Sequence, residues 1–166
     1  MSTDDRAYAT LLNCIFWGNK SHSGQPWQVS GNNLAVDYCC IEGWTGGLDG
    51  EGNTGADPCF ADNANGDYRL KSQGGRWDAN EGRWTRDEVT SPCIDAGDPM
   101  GPIGYEPFPN GGVINMGAYG GTAEASKSYF GRPVCETIVA GDINGDCIID
   151  FRDFCIMALH WSEDNN

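Results

Sequence analysis

Apolar residues fall in short bursts along most of this chain. Tyr8-Ala-Thr-Leu-Leu-Asn-Cys-Ile-Phe-Trp17 ends in Gly-Asn, and Leu34-Ala-Val-Asp-Tyr-Cys-Cys-Ile41 ends in Glu-Gly. Runs of this length, bounded by polar turn residues, predict short β-strands over residues 8–60. Setting Cys14-Ile15 over Cys40-Ile41 gives an offset of 26 residues (14 to 40), near one coil of a parallel β-solenoid. Such coils stack matching side chains in an interior ladder. The competing reading is two strands of an ordinary sandwich. Residues 62–125 show no period: Trp77 and Trp84 stand among many glycines, followed by a proline-rich run over 98–109. This part is expected to be irregular. Helical spacing appears only near the C-terminus, where Phe151, Phe154, Ala158 and Trp161 recur three and four apart, with Cys155 and Leu159 alongside.

Composition agrees with strands and turns. Twenty-four Gly and 8 Pro in 166 residues argue for many tight turns and little helix. The length suits one domain plus a small module. Ten Lys and Arg against 24 Asp and Glu leave a net charge of −14. Nucleic acid is excluded as an expected partner, because phosphate binding needs a basic surface. Cations suit the chain better. No stretch approaches the ~20 apolar residues of a membrane span. The N-terminal Met-Ser-Thr-Asp-Asp-Arg shows no signal peptide, yet 8 Cys in an acidic, Asn- and Gly-rich chain suggest an oxidising, extracellular or cell-surface setting. The two reconcile if the chain begins inside an exported protein, or after its processing. No CxxC pair is present and the 2 His are isolated, which argues against zinc. Asn19-Lys-Ser21 is a glycosylation sequon.

The densest chemistry lies in Asp142-Ile-Asn-Gly-Asp-Cys-Ile-Ile-Asp-Phe-Arg-Asp153. Oxygen side chains fill loop positions 1, 3, 5, 9 and 12 (Asp142, Asn144, Asp146, Asp150 and Asp153), and Ile148 at position 7 offers its carbonyl. That is the ligand schedule for Ca²⁺, a hard cation that collects oxygens at ~2.3–2.6 Å. Two positions depart from it. Cys147 occupies position 6, where a sharp turn wants Gly, and Asp153 replaces the usual bidentate Glu. Residues 136–141 make a poor entering helix, being β-branched and Gly-ended. The segment after the loop makes a good exit helix. Cys135 and Cys147 flank the start of the loop, and a disulfide between them would tie the preceding linker to it, adding ~3 kcal/mol of unfolded-state constraint.

A loop with an exit helix alone resembles one half of a type I dockerin repeat. Upstream, Asn13-Cys-Ile-Phe-Trp-Gly-Asn19, Val36-Asp-Tyr-Cys-Cys-Ile-Glu-Gly43, Gly52-Asn53, Asp57-Pro-Cys-Phe60, Gly66-Asp-Tyr-Arg-Leu70, Ser91-Pro-Cys-Ile-Asp-Ala-Gly97 and Met116-Gly-Ala-Tyr119 follow in order. The series resembles the C-terminal end of secreted, polysaccharide-lyase-like right-handed parallel β-helix proteins of planctomycete-type bacteria that carry a dockerin-like tail. The resemblance spans roughly residues 8–161. It implies an all-β fold: terminal coils of a right-handed parallel β-helix plus an irregular cap over 1–128, a linker over 129–134, and a dockerin-like EF-hand half module over 135–166. Such families keep their catalytic clefts in earlier coils.

Other residues offer weaker chemistry. Asp62, Asn65 and Asp67 form a candidate second calcium site. Asp95 and Asp98 are a candidate metal or acid–base pair, against a structural turn in which Asp95 caps backbone amides. Cys59 with Cys93, and Cys14 with Cys40, are further candidate thiol pairs. Trp17, Trp27, Trp44, Trp77 and Trp84 offer faces for sugar rings, against plain packing. His22 has no nucleophile to pair with in sequence, and His160 reads as a surface residue. Lysines and arginines form no sequence cluster, so no catalytic signal is visible. The expected function is an extracellular calcium-binding structural or assembly protein, self-associating into an oligomer or fibre through Tyr8, Leu11, Leu12 and Ile15. The alternatives are the tail of a polysaccharide-degrading β-helix enzyme and a carbohydrate-binding module. The partners these imply are further copies of the chain, an extracellular polysaccharide, or a cohesin-like surface protein.

Overall fold

The structure is a computed structural model that describes residues 9–20, 28–29, 33–46, 50–131, 139–144 and 146–161. It opens with four short strands: β1 (Ala9–Leu12), β2 (Ile15–Phe16), β3 (Leu34–Asp37) and β4 (Cys40–Ile41). β1 runs parallel to β3 from Ala9↔Leu34 to Leu12↔Asp37, and β2 runs parallel to β4 through Ile15↔Cys40 and Phe16↔Ile41. The offset is therefore 25 residues (9 to 34, 15 to 40), one fewer than the cysteine alignment suggested. Cys14 lies against Cys39, donating its N–H to Cys39 Sγ at 3.4 Å. The doubled cysteine at 39–40 misled the alignment. A one-residue slip sends every side chain to the opposite face, so the error matters.

Corner geometry fixes the true register. Asn13 (φ 55°) and Tyr38 (φ 50°), also 25 apart, both adopt the left-handed conformation between paired strand segments. Gly52 (φ 68°) repeats the corner in a third rung, where a Cβ would come within 2.2 Å of the Tyr38 ring. Only Gly fits that approach. The third rung pairs through a parallel bridge between Cys40 and Thr54. Asn53 ties it down, accepting the Cys39 N–H at 2.9 Å and donating to the Val36 carbonyl at 2.6 Å.

Alternation along β3 and β4 feeds two apolar clusters. Cys40 joins Leu70, Cys93, Ile94 and Met116 in one. Val36, Cys39 and Ile41 pack with Leu11, Phe16 and Trp44 in the other. Leu12 is exposed as expected, whereas Leu11 and Ile15 pack against the clusters rather than standing bare.

Residues 60–85 are more regular than the sequence suggested. β5 (Phe60–Asp62) pairs antiparallel with β6 (Asp67–Leu70), and β7 (Arg76–Asp78) with β8 (Arg83–Thr85). Trp77 sits directly opposite Trp84, their rings 5.6 Å apart and tilted 65°. This edge-to-face pair stabilises the hairpin, which short strands alone would leave marginal. Residues 86–128 then form a cap without strands or helices, as the glycine and proline content demands. The chain is all-β in class, with one α-helix, α1 (Phe151–Leu159), among the described residues. No helix among them is long and apolar enough to cross a membrane.

Helix α1 rests on the cap. A Cβ at Gly112 would meet Ile156 at 2.7 Å, so the missing side chain lets the helix approach. The apolar stripe read from sequence is not the packed face. Phe151 and Trp161 are 73% and 75% exposed, and Phe154 is also exposed. Ile156 makes the close contact instead, because the loop geometry, rather than helix amphipathicity, sets the rotation of α1.

Candidate metal centre

The loop over 142–153 folds around its own carboxylates. Asp142, Asn144, Asp146 and Asp153 are all buried, Asp153 to 3% exposure, whereas Ile148 and Asp150 are exposed. Asp142 accepts the N–H of Asp146 on Oδ1 at 3.1 Å and of Cys147 on Oδ2 at 2.9 Å. Asn144 Oδ1 accepts the Asp146 N–H at 2.9 Å, and Asp146 Oδ1 accepts that of Ile148 at 2.8 Å. Each of these is a side chain folding back on its own turn, the habit that makes Asp and Asn turn formers. Cys147, at the position that wants Gly, takes φ 63°. The backbone thus makes the sharp turn with a non-glycine residue.

Asp153 closes the loop onto the helix. Its Oδ1 accepts the N–H groups of Ile143 at 2.7 Å and Asn144 at 3.3 Å, and its Oδ2 that of Asp150 at 2.8 Å. Asp150 reciprocates as N-cap, taking the Arg152 N–H at 2.8 Å, so positions 9 and 12 form a capping box. The short Asp at position 12 suits this box. Burial pushes the Asp153 carboxyl upward, but the Asp150, Asn144 and Ile143 N–H groups outweigh it and hold the group below the ordinary carboxylate range.

The donor set suits a hard cation. Each carboxylate oxygen carries two lone pairs, and one backbone N–H leaves capacity for a further contact. Asp142, Asn144, Asp146, the Ile148 carbonyl, Asp150 and Asp153 are the residues that would hold calcium. Counted by His, Cys, Asp and Glu side chains alone, the described residues contain no group of three or more arranged as a metal site. The four aspartates of the set are turned onto backbone N–H groups of their own loop rather than toward one common point. Cys147 is disulfide-bonded, while Cys135, its expected partner, lies outside the described residues, as does His22.

Elsewhere the structure divides what the sequence grouped. Asp62 pairs with Asn65, whose Nδ2 donates to Oδ2 at 2.6 Å, whereas Asp67 turns to Arg69 at 3.1 Å and Arg76 at 3.7 Å. The three do not converge as a second calcium site. Asp95 accepts the Ser128 hydroxyl at 2.8 Å rather than capping an amide, and Asp98 accepts the Met100 N–H at 2.9 Å. Cys14, Cys39, Cys40, Cys59, Cys93 and Cys155 are free thiols. Cys40 donates its thiol to the Ala56 carbonyl at 3.2 Å and shares a core cluster with Cys93, and neither expected pairing, Cys59 with Cys93 or Cys14 with Cys40, is a disulfide. Burial pushes the Cys39 thiol up to about 11. Six free thiols remove most of the force of the cysteine count as a sign of an oxidising compartment. His160 lines a groove of about 520 Å³ with Ile103, Ile143 and Ile156, so it is not a plain surface residue.

Sequence reasoning missed an ion-pair network. Arg69 joins Asp67 and Glu124 and stacks over Tyr119 at 4.3 Å, while Arg76 joins Asp67 and Asp87. The basic residues do cluster, but in space. Both arginine side chains are nearly buried and tied to carboxylates, so the network staples hairpins to cap. Asn19 is exposed, and its amide donates to Gln28 at 2.9 Å. Trp17, Phe16, Phe60 and Tyr68 line an open groove of about 630 Å³, whereas Trp44 packs in the second cluster. Trp27 lies outside the described residues.

Residues 28–97, which run from the β3 rung to the cap, match a family model described as disaggregatase related. No curated protein and no solved structure matches the chain.

Proposed function

We propose that this chain is the end of an extracellular right-handed parallel β-helix protein, and that residues 135–161 form a calcium-dependent module through which it assembles or attaches. The observation that carries the reading is the joint placement of Asp142, Asn144, Asp146 and Asp153 inside one tight loop. Concentrating carboxylates in a buried turn favours a divalent cation, since burying like charges is otherwise costly. The outward Ile149, Phe151, Phe154 and Trp161 supply an apolar surface of the kind that marks interaction sites, suited to a cohesin-like surface protein. The stacked rungs with repeating left-handed corners support the β-helix. A Cys135–Cys147 bridge would anchor the loop to the linker.

Titration calorimetry tests this directly: one calcium ion per chain is expected, with uptake lost in Asp142→Ala. Absence of binding by the wild type would overturn the assignment. A second reading, the tail of a polysaccharide-degrading enzyme, rests on the resemblance of the motif series over residues 8–161 to lyase-like β-helix proteins. Turnover of acidic or neutral polysaccharides by this chain would promote that reading. The aromatic groove around Trp17 supports a carbohydrate-binding role, which a glycan array measures.

A further inference from the structure

Glu106 sits in the cap with 7% of its surface exposed. Its Oε1 accepts the N–H of Asn115 at 2.8 Å and of Gly121 at 2.9 Å. Among the described residues, its Oε2 is buried without a hydrogen-bond partner. An ionised carboxylate presents two accepting oxygens, and leaving one unserved in the interior is expensive. A neutral acid has one carbonyl oxygen, able to accept twice, and one hydroxyl. A hydroxyl at Oε2 would lack an acceptor, but an unserved neutral hydroxyl costs less than an unserved charged oxygen, so the arrangement favours the neutral acid.

The neighbours reinforce this. Asp95 brings a second carboxyl, pressed against Gly111, where a Cβ would stand 2.3 Å from Oδ2. The 115–121 segment presents backbone N–H groups and the Asn115 amide, which joins the Asp95 N–H to the Ser126 carbonyl. The 125–128 segment presents the Ser128 hydroxyl to Asp95. From α1, His160 lies beside Ile103 and Gly104 in the adjoining groove. The charged group acting on Glu106 is Asp95.

We propose that Glu106 is protonated in the folded cap near neutral pH and works as an acid-strengthened latch, holding the 102–109 loop to the 115–121 segment and loosening as it ionises. Burial pushes the group from 4.5 up to about 7, the two N–H bonds pull it back, and Asp95 adds to the rise. Burial likewise pushes Asp95 up to about 6. A folded-state value above the unfolded one means stability is fully present below pH 4.5 and is lost as pH rises through about 7.

The test is a carboxyl-carbon NMR titration of the calcium-saturated chain, with amide exchange at Asn115 and Gly121 corrected for intrinsic rates. Glu106 should titrate near neutrality, and protection of both amides should fall severalfold as it does. In Glu106→Gln, which keeps the accepting oxygen and cannot ionise, the loss of protection near pH 7 should vanish, leaving only the change that follows Asp95 near pH 6, whose midpoint should not move. A Glu106 midpoint in the ordinary carboxylate range, or wild-type protection independent of pH, would overturn the latch. Should the variant fail to fold, the wild-type titration decides alone.

Discussion

The cap and the C-terminal loop use the same device and reach opposite electrostatic outcomes. In each, a buried carboxyl gathers backbone N–H groups from segments that have no strand or helix partner. Glu106 takes two on one oxygen and none on the other, and its affinity for a proton rises. Asp153 takes N–H groups on both oxygens, and its affinity falls. In both, burial is the largest single influence and raises the group. Around Asp153 the backbone N–H groups together outweigh it, and around Glu106 two N–H groups on one oxygen do not. The cap thus favours a neutral acid, and the loop favours the anion.

The largest expected effect separates the regions outright. Asp142→Ala removes a proposed ligand and the acceptor for the Asp146 and Cys147 N–H groups. Calcium affinity should fall by more than about 100-fold by calorimetry, and α1 should lose exchange protection while the cap amides keep theirs. A cap that loosens too would show that the regions are not independent.

Asn115→Ala attacks the other side. It strands the Asp95 N–H and the Ser126 carbonyl in the interior, so urea unfolding should report a loss of about 2–4 kcal/mol with calcium binding unchanged. A paired amide substitution sharpens the contrast. Asp153→Asn sets an NH₂ donor against backbone donors and should cost about 1–3 kcal/mol at neutral pH. Glu106→Gln replaces an unserved oxygen and should cost less than about 1 kcal/mol there. Equal costs would sink the explanation by served oxygens. The smallest effect is expected on the outer helix face. Phe154→Ser should shift stability by no more than about 0.5 kcal/mol, since the ring is exposed, yet it should weaken any attachment made through the module.

Much of the architecture was legible. Turn residues and short apolar runs announced strands, and the spacing between parallel partners was read as 26 residues against the observed 25, because similar Cys-Ile runs recur in both segments. The register failed by one because Cys39 and Cys40 are chemically identical labels, while Asn13 and Tyr38, which share a conformation, share no chemistry. The hairpins over 60–85 escaped notice because their stability comes from Trp77 meeting Trp84 and from arginines shared between segments. Spacing says nothing about such encounters. Helix α1 was placed correctly, yet its apolar stripe points outward.

By itself, the sequence determined the oxygen schedule of residues 142–153, the strand-and-turn class, and the acidic balance, because these depend on residue types at fixed local spacing. Loop ligands sit within a dozen residues of one another, where chain connectivity alone brings them together. Only the tertiary structure decided which thiols touch, where the arginines find carboxylates, and that Glu106 is buried with one oxygen unserved. Those outcomes depend on desolvation and on contacts between residues far apart in the chain, and both arise only once the whole molecule has packed.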